Sequence, residues 1–164
     1  MNIQDITKNR RSIRKYTEEI PDQKTIETIL EAGRWAPSGL NNQPWRFKVL
    51  DGAEKKGLSQ FTKYHHILKS APIAICVFLD KEASYNYKKD VMAIGACIQN
   101  MLLCAHALGL GTCWLGEILN QADGVLKYLK LAKSEYELMA VITLGYPDEK
   151  GLSSRKALKS LIIK

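Results

Sequence analysis

The sequence lacks closely spaced cysteine pairs, which argues against the common zinc sites. Its four cysteines occur singly among apolar neighbours, at Cys76, Cys97, Cys104 and Cys113. This pattern predicts buried free thiols, since structural disulfides are rare in a reducing compartment. The histidines do not have the spacing of metal ligands either, so we expect no metal site.

Long hydrophobic runs are also missing. The longest, from Ala71 to Leu79, contains Pro72 and has the length of a strand, well short of a membrane span. The first residues show no basic segment followed by an apolar stretch, as a secretion signal would. These absences predict a cytoplasmic protein that does not enter a membrane.

Several motifs of catalysis and binding are absent as well. Gly109-Leu110-Gly111 lacks the third glycine of a dinucleotide-binding loop and follows a helix pattern, where that loop follows a strand. Ser38 stands beside a proline, outside any Gly-x-Ser-x-Gly motif. The net charge is +7, but the lysines are scattered and no nucleic-acid-binding signature occurs. We expect the basic surface to attract anionic small molecules such as cofactors. We expect no nucleic-acid partner.

What the sequence does contain is an alternation of helix and strand patterns, without repeats or linkers, that predicts a single domain over residues 1–164. Helices are expected at residues 2–9, 21–36, 53–69 and 121–131, and strands at residues 45–49, 72–79, 112–116 and 137–144. The mixture is typical of an α/β or an α+β protein, and the patterns leave the order of strands in the sheet open.

The clearest helix pattern runs from Asp90 to about Leu108. It is apolar or small on nearly every face, so we expect it to be buried on most sides. Two interpretations stay open for it: the centre of a subunit interface, or a central helix within a monomer.

Two polar segments are candidates for binding. The loop from Ala36 to Trp45 lies between prolines and carries many hydrogen-bonding groups, as ligand-binding loops do. Upstream, Arg10, Arg11 and Arg14 place three planar guanidinium groups, suited to a phosphate, within five residues. Together they predict a flat ligand with polar edges and a phosphate tail, although a solvated basic edge is the alternative. Because no nucleophile or acid–base pair is evident, a cofactor would supply any chemistry.

These motifs resemble, in the same order along the chain, those of the FMN-dependent nitroreductase family. The matching segments are RRSIRKY (10–16), APSGLNNQPW (36–45), GLGTCWLG (109–116), GYP (145–147) and RK (155–156). The resemblance implies an α+β fold with a central mixed, mostly antiparallel sheet surrounded by helices. It also implies a homodimer with the long buried central helix at the interface.

The resemblance further implies an FMN site and no catalytic side chain. The residues that it assigns to FMN are Arg10, Arg11, Ser12, Arg14, Pro37, Ser38, Gly39, Asn41, Gln43, Leu115, Gly116 and Arg155. Of these, Arg10, Ser12 and Arg155 would hold the phosphate and the ribityl chain, with Arg11 alongside. Arg14 would lie near the pyrimidine edge, where a cation favours the anionic reduced flavin.

The remaining assignments concern the flavin ring. The loop residues would reach the ring from the partner chain, and Leu115 and Gly116 would present their backbone to it, with the Gly116 amide near N5. The chain departs from the family in one place, because Tyr64 and Ile67 stand where many members carry an Asn and a Lys that contact the flavin.

The activity implied by the resemblance is a ping-pong oxidoreduction. NADH or NADPH would reduce the flavin, leave, and be replaced by a small-molecule electron acceptor such as a nitroaromatic or a quinone. The alternatives are a flavin-binding or regulatory protein without turnover, a specialised flavin reaction such as reductive dehalogenation, or a basic nucleic-acid-binding module.

Overall fold

A computed structural model describes residues 2–163, so Met1 and Lys164 of the predicted domain lie outside the described residues. The helices are α1 (Ile3–Asn9), α2 (Gln23–Arg34), α3 (Gly52–Leu58), α4 (His65–Ser70), α5 (Tyr87–Ala107) and α6 (Ala122–Tyr128). The strands are β1 (Trp45–Leu50), β2 (Ile73–Asp80), β3 (Gly111–Leu115) and β4 (Tyr136–Gly145). Short 3₁₀ turns occupy Gly39–Asn41, Ser59–Phe61, Glu117–Gln121 and Leu158–Leu161.

The strands form one sheet in the order β1-β2-β4-β3. Each pairing between these strands is antiparallel, and a parallel bridge joins Ser12 to Thr112 beside β3. The expected α+β fold with a mixed, mostly antiparallel sheet is therefore confirmed. The order places β1 and β3 at opposite edges of the sheet, which the sequence patterns left open.

The central strand β2 is apolar throughout because both faces of the sheet are covered. Ile75 and Val77 face the core that contains α2 and α5. Cys76 and Phe78 face a second core on the other side of the sheet, filled in part from α4 and α6. Alternate residues of one strand thus belong to two cores, which explains a continuous apolar run in an antiparallel sheet.

Helix α5 begins at Tyr87, three residues before the predicted start at Asp90. The side chain of Asn86 caps it by accepting a hydrogen bond from the Lys89 amide at 3.2 Å, as N-cap residues do. Within residues 2–163, α5 is the one helix long and apolar enough, by length and composition, to cross a membrane. Its inner side packs into the core against α2 and the sheet, as a central helix of a folded domain does.

The predicted continuous helix over residues 53–69 is wrong. The chain leaves the helical conformation at Thr62, whose φ and ψ are −147° and 143°. There the Thr62 hydroxyl donates a hydrogen bond to Glu117 Oε2 at 2.6 Å. A contact between residues far apart in the sequence therefore separates α3 from α4, and local propensity cannot reveal it.

Three of the four cysteines are buried free thiols, as predicted, whereas Cys104 is only half-buried. Burial raises the pKa of Cys76 and of Cys97 to about 12. These thiols stay protonated at neutral pH. Within residues 2–163, no group of three or more His, Cys, Asp or Glu side chains is placed to hold a metal ion.

Candidate functional site

Two cavities lie along the edge of the sheet that carries β3. The first, of about 330 Å³, lies beside the last turn of α5. Its lining includes Arg10, Arg11, His106, Thr112 and Glu149. Three of these side chains are basic or can become so, which makes the cavity a candidate site for an anion.

The second cavity, of about 240 Å³, has a different lining. Its residues are Arg14, Tyr64, Ile67, Cys113, Trp114, Leu115 and Gly116. The chain runs directly from one cavity to the other, because Ile13 and Arg14 are consecutive, as are Thr112 and Cys113. The two cavities therefore lie side by side, and each is lined by at least one arginine.

The electrostatics of the first cavity favour a bound anion. Burial, together with the positive charges of Arg155 and Arg11, lowers the pKa of Arg10. Burial and the charges of Arg10 and Arg11 likewise lower the pKa of His106. The His106 Nε2 atom is buried without a hydrogen-bond partner among the described residues. A phosphate would relieve the repulsion and supply an acceptor, so the residues present fit the anionic end of FMN.

The segment that carries the arginines is held on the sheet edge by its own backbone. The Ile13 amide donates to Thr112 O at 2.9 Å, and the Arg14 amide donates to Glu149 Oε1 at 2.6 Å. Just before them, Ser12 forms the bridge to Thr112. These bonds hold the segment on the sheet edge, where Arg10 lines the first cavity and Arg14 lines the second.

Arg11 is fixed differently from the other two arginines of the segment. Its Nη1 atom donates to Lys8 O at 2.7 Å and to Arg10 O at 2.9 Å. These carbonyls lie at the end of α1, where a cation is favoured by the helix dipole. Arg11 therefore adds positive charge to the first cavity while its guanidinium group is held by these two carbonyl oxygens.

The second cavity is bounded by an open stretch of backbone at the end of β3. A side-chain carbon built on Gly116 would meet no described atom within 4 Å. Its φ of −90° is ordinary for any residue, so the backbone conformation does not require glycine. A flat ring can lie directly on this backbone, which fits the flavin end of FMN.

Cys113 lines the second cavity, yet its thiol is not suited to nucleophilic catalysis. The side chain is buried, and this burial raises the pKa of Cys113. Ile67 forms another apolar part of the wall, and Tyr64 lies at its rim, 39% exposed. Tyr64 and Ile67 thus occupy the cavity where the departure from the family pattern was noted.

The polar loop from Ala36 to Trp45 is not part of either cavity within one chain. It leads into β1, three strand spacings or roughly 14 Å across the sheet from β3. The structure therefore divides the predicted residues into two groups. On the β3 side are Arg10, Arg11, Ser12, Arg14, Leu115, Gly116 and the exposed Arg155, and on the β1 side are Pro37, Ser38, Gly39, Asn41 and Gln43.

Sequence reasoning missed two members of the first cavity. His106 was considered only as a metal ligand, and Glu149 was not considered at all. The available signal was their position in the chain, since His106 precedes the Gly109-Leu110-Gly111 motif and Glu149 follows Gly145-Tyr146-Pro147. Neither motif shows by itself that His106 and Glu149 line the same cavity as Arg10 and Arg11.

Comparisons with known proteins agree with this architecture. The family model described as the Nitroreductase family matches residues 7–64 and 53–146. A crystal structure from Desulfovibrio desulfuricans, provisionally named a nitroreductase and solved in complex with FMN, is 47% identical. That match covers 100% of this chain and 97% of the other, with a TM-score of 0.97.

Two curated relatives are more distant. A protein of Archaeoglobus fulgidus, provisionally named NADH dehydrogenase/NAD(P)H nitroreductase, is 37% identical over 86% of this chain and 83% of its own length. The iodotyrosine deiodinase of Thermotoga neapolitana is 26% identical over 90% of this chain and 89% of its own length. Because the family model matches most of the chain, and because a relative above 30% identity aligns with most of it, this chain belongs to the nitroreductase family.

Proposed function

We propose that the protein is an FMN-dependent NAD(P)H oxidoreductase of nitroreductase type, with one FMN-binding domain over residues 1–164. The observation that carries the proposal is the pair of adjoining cavities. One holds Arg10 and Arg11, and the other has the open backbone of Gly116. Membership in the nitroreductase family and the FMN complex of the Desulfovibrio desulfuricans relative support the same cofactor.

The phosphate end of FMN belongs in the first cavity. Arg10, Ser12 and Arg155 hold the phosphate and the ribityl chain, with Arg11 adding charge from the end of α1. The support is electrostatic, since the charges of Arg155 and Arg11 already act on Arg10 and lower its pKa. A dianion is the ligand that these guanidinium groups recognise best.

The ring end belongs in the second cavity. When bound, FMN supplies hydride transfer, from NADH or NADPH and then to a small-molecule acceptor such as a nitroaromatic or a quinone. Arg14 provides a fixed positive charge at the cavity, which favours negative charge on the reduced ring. Leu115 and Gly116 present backbone to the ring, and the protonated thiol of Cys113 offers no competing nucleophile.

The proposal includes a homodimer whose partner chain completes each site. Pro37, Ser38, Gly39, Asn41 and Gln43 act on the flavin of the partner. The support is their position at the β1 edge, away from both cavities of their own chain. A symmetric pair of chains can bring the β1 edge of each subunit to the β3 edge of the other.

The exposed side of α5 supports the same arrangement. Met92 is 61% exposed on this helix, and the small residues Gly95 and Ala96 lie beside it, only half-buried. An apolar helix face left open in one chain is typical of a surface covered by a partner. We therefore place α5 at the subunit interface.

A cytoplasmic location is part of the same proposal. NADH and NADPH are supplied there, and free thiols are stable in that reducing compartment. The four cysteines of the chain are all free thiols in the structure, in agreement with this location.

The test compares flavin binding and flavin reduction in the wild-type protein with those in a variant that lacks the charge of Arg10. The wild-type protein should bind one FMN per chain and be reduced by NADH or NADPH under anaerobic conditions. Arg10→Ala should weaken FMN binding by about a hundredfold, since it removes a charge-assisted contact to the phosphate. Lys133→Ala, which removes an exposed charge paired with Asp123, is the matched control and should change nothing. An Arg10→Ala protein with wild-type FMN affinity would contradict the proposal.

The same purified protein also tests two alternative functions. A flavin-binding or regulatory protein would hold FMN without being reduced by either nicotinamide. Reductive dehalogenation is favoured by one observation, the iodotyrosine deiodinase among the relatives. Release of iodide from iodotyrosine by the reduced protein, without reduction of nitroaromatics or quinones, would favour that reaction.

A further inference from the structure

One buried carboxylate anchors the polar loop three residues before β1 begins. Asp90, in the first turn of α5, has no exposed surface. Its oxygens accept hydrogen bonds from Asn42 Nδ2 at 2.8 Å and Ser84 Oγ at 2.7 Å. They also accept from the amides of Tyr85 and Asn86, each at 3.0 Å. The carboxylate therefore joins three parts of the chain: the loop, the segment before α5, and α5 itself.

These donors keep Asp90 ionised in its buried position. Burial alone would raise the pKa of Asp90, but the hydrogen bonds from Ser84, Asn42 and the two amides outweigh it and lower the pKa. Hydrogen bonds to a charged acceptor are stronger than neutral ones. The connection to the loop is thus a charge-assisted bond to a carboxylate that has no exposed surface.

Asn42 is the loop residue that makes this connection. Its Nδ2 group donates both to Asp90 Oδ1 and, at 3.0 Å, to Ala83 O. Both partners are acceptors, which fixes the orientation of the amide. Asn42 itself lines neither cavity in the part of the chain that the structure describes, so this role differs from ligand contact.

The loop needs an external anchor because its backbone is strained. Leu40, Asn41 and Gln43 have φ values of 55°, 53° and 48°, in the left-handed region that residues with a Cβ rarely adopt. Within the loop, the hydroxyl of Ser38 accepts a hydrogen bond from the Gln43 amide at 3.0 Å. A strained segment persists only where its surroundings hold it, and such segments cluster at ligand sites.

A second contact comes from the same segment before α5. A side-chain carbon built on Gly39 would lie 1.8 Å from the hydroxyl oxygen of Tyr85. The Tyr85 side chain therefore lies against the backbone of the loop, and a larger residue at Gly39 would displace it. The loop is held by packing at Gly39, just before its left-handed residues, and by charge at Asn42, which lies between Asn41 and Gln43.

We propose that Asp90 is a positioning residue for the flavin site of the partner subunit. Through Asn42 it holds the loop of residues 37–43, with Leu40, Asn41 and Gln43 in the left-handed region, in the conformation that reaches the partner's flavin. This inference rests on the proposed function, because it takes FMN as the ligand and a shared site as its location. Asp90 does not touch the flavin; it acts through the loop.

Two substitutions around the same carboxylate test this role. Asn42→Ala removes the bond between Asp90 and the loop, whereas Ser84→Ala removes a bond of similar length that does not involve the loop. We expect Asn42→Ala to weaken FMN binding about tenfold and to change the visible circular dichroism of the bound flavin. Ser84→Ala should retain the wild-type values of both. Equal effects of the two substitutions on the flavin would overturn the proposal, since Asp90 would then serve only to stabilise the fold.

Mixed dimers show on which chain the loop acts. A dimer of one Arg10→Ala chain and one Asn42→Ala chain should contain one doubly impaired site and one intact site. It should therefore bind one FMN with wild-type affinity, although neither parent homodimer does. If no wild-type site appears, the loop acts within its own chain and the inference is overturned. Failure of the wild-type protein to bind FMN would instead overturn the proposed function together with this inference.

Discussion

At the scale of single residues, the first cavity brings Arg10, Arg11 and His106 together with a single carboxylate, Glu149. Arg10 is destabilised as a cation by burial and by Arg155 and Arg11. His106 responds to the same charges, and its buried Nε2 atom has no partner in the described part of the chain. Such a cluster costs stability in the empty protein. A phosphate would offset that cost, so binding and folding are coupled through these side chains.

The first prediction concerns the protonation of His106. Without FMN, the pKa of His106 should lie below its ordinary value of 6.5, because burial and then the charges of Arg10 and Arg11 disfavour the imidazolium form. A bound phosphate should raise this pKa by offsetting those charges. Titration by NMR, with His106→Gln to assign the resonance, measures both values.

Riboflavin is the matched control ligand, because it has the same ring but no phosphate. It should leave the pKa of His106 low. The folded protein without FMN should also lose stability as the pH falls below 6.5, since the unfolded chain then binds the proton more readily. An equal rise in pKa with riboflavin and FMN would show that His106 does not sense the phosphate.

At the scale of secondary-structure elements, the sequence predicted the strands whose hydrophobic pattern is local. The period of two gave β1, and the apolar run gave β2, in the positions observed. The break after α3 was missed because it depends on the bond from Thr62 to Glu117. Asp90 was taken for the start of α5, whereas Asn86 caps the helix and Asp90 binds the loop. Long-range contacts of this kind have no local pattern.

The candidate site was predictable to a similar degree. The motifs identified Arg10, Arg11, Arg14, Leu115 and Gly116, which line the two cavities, whereas Ser12 and Arg155 line neither of them. The position of the other predicted residues depends on the order of strands, which separates the loop before β1 from both cavities. Residue spacing along the chain carries no information on that order, so the division of the site between two edges of the sheet needed the structure.

The second prediction concerns the segment from Arg10 to Tyr16. The buried hydroxyl of Tyr16 donates to Ile13 O at 2.5 Å and lies 2.7 Å from Thr143 Oγ1. Tyr16→Phe leaves these buried partners short of a hydrogen bond, so it should lower the free energy of unfolding by about 1–3 kcal/mol. Urea denaturation followed by circular dichroism measures this change.

Tyr87→Phe is the matched control for Tyr16→Phe. Its hydroxyl also makes a hydrogen bond, to Glu137 Oε1 at 2.9 Å, but at an exposed position. Water can replace that bond, so the free energy of unfolding should change by less than about 0.5 kcal/mol. If both variants were equally stable, the hydroxyl of Tyr16 would not be what fixes the arginine segment to β4.

At the scale of the whole molecule, one chain leaves several large apolar side chains exposed. Trp35, just before the loop, is 74% exposed, and Leu40, within the loop, is 84% exposed. Near the end of the chain, Leu158 is 74% and Ile162 is 61% exposed. With the open face of α5, these surfaces support a partner chain that covers them. The same partner would supply the loop that each flavin site lacks.

Gly95 provides the most direct test of that partner. It lies in the middle of α5, where glycine costs about 1 kcal/mol relative to alanine. A side-chain carbon built on it would meet no described atom within 4 Å, so its own chain gives no steric reason for glycine. A second helix that approaches closely would give that reason, because helix spacing depends on the side chains at the contact.

Gly95→Leu should therefore leave each chain folded and separate the subunits. Leucine favours the helix and meets open space within the chain, but it would collide with a partner helix at the interface. Light scattering should show a shift from two chains to one, and FMN should be lost with it because the proposed site draws on both chains. Lys127→Leu, on the exposed side of α6, places the same side chain on another helix and should leave the dimer intact. A Gly95→Leu protein that stays dimeric would remove α5 from the interface, whereas a monomer that still binds FMN tightly would show that one chain holds the whole site.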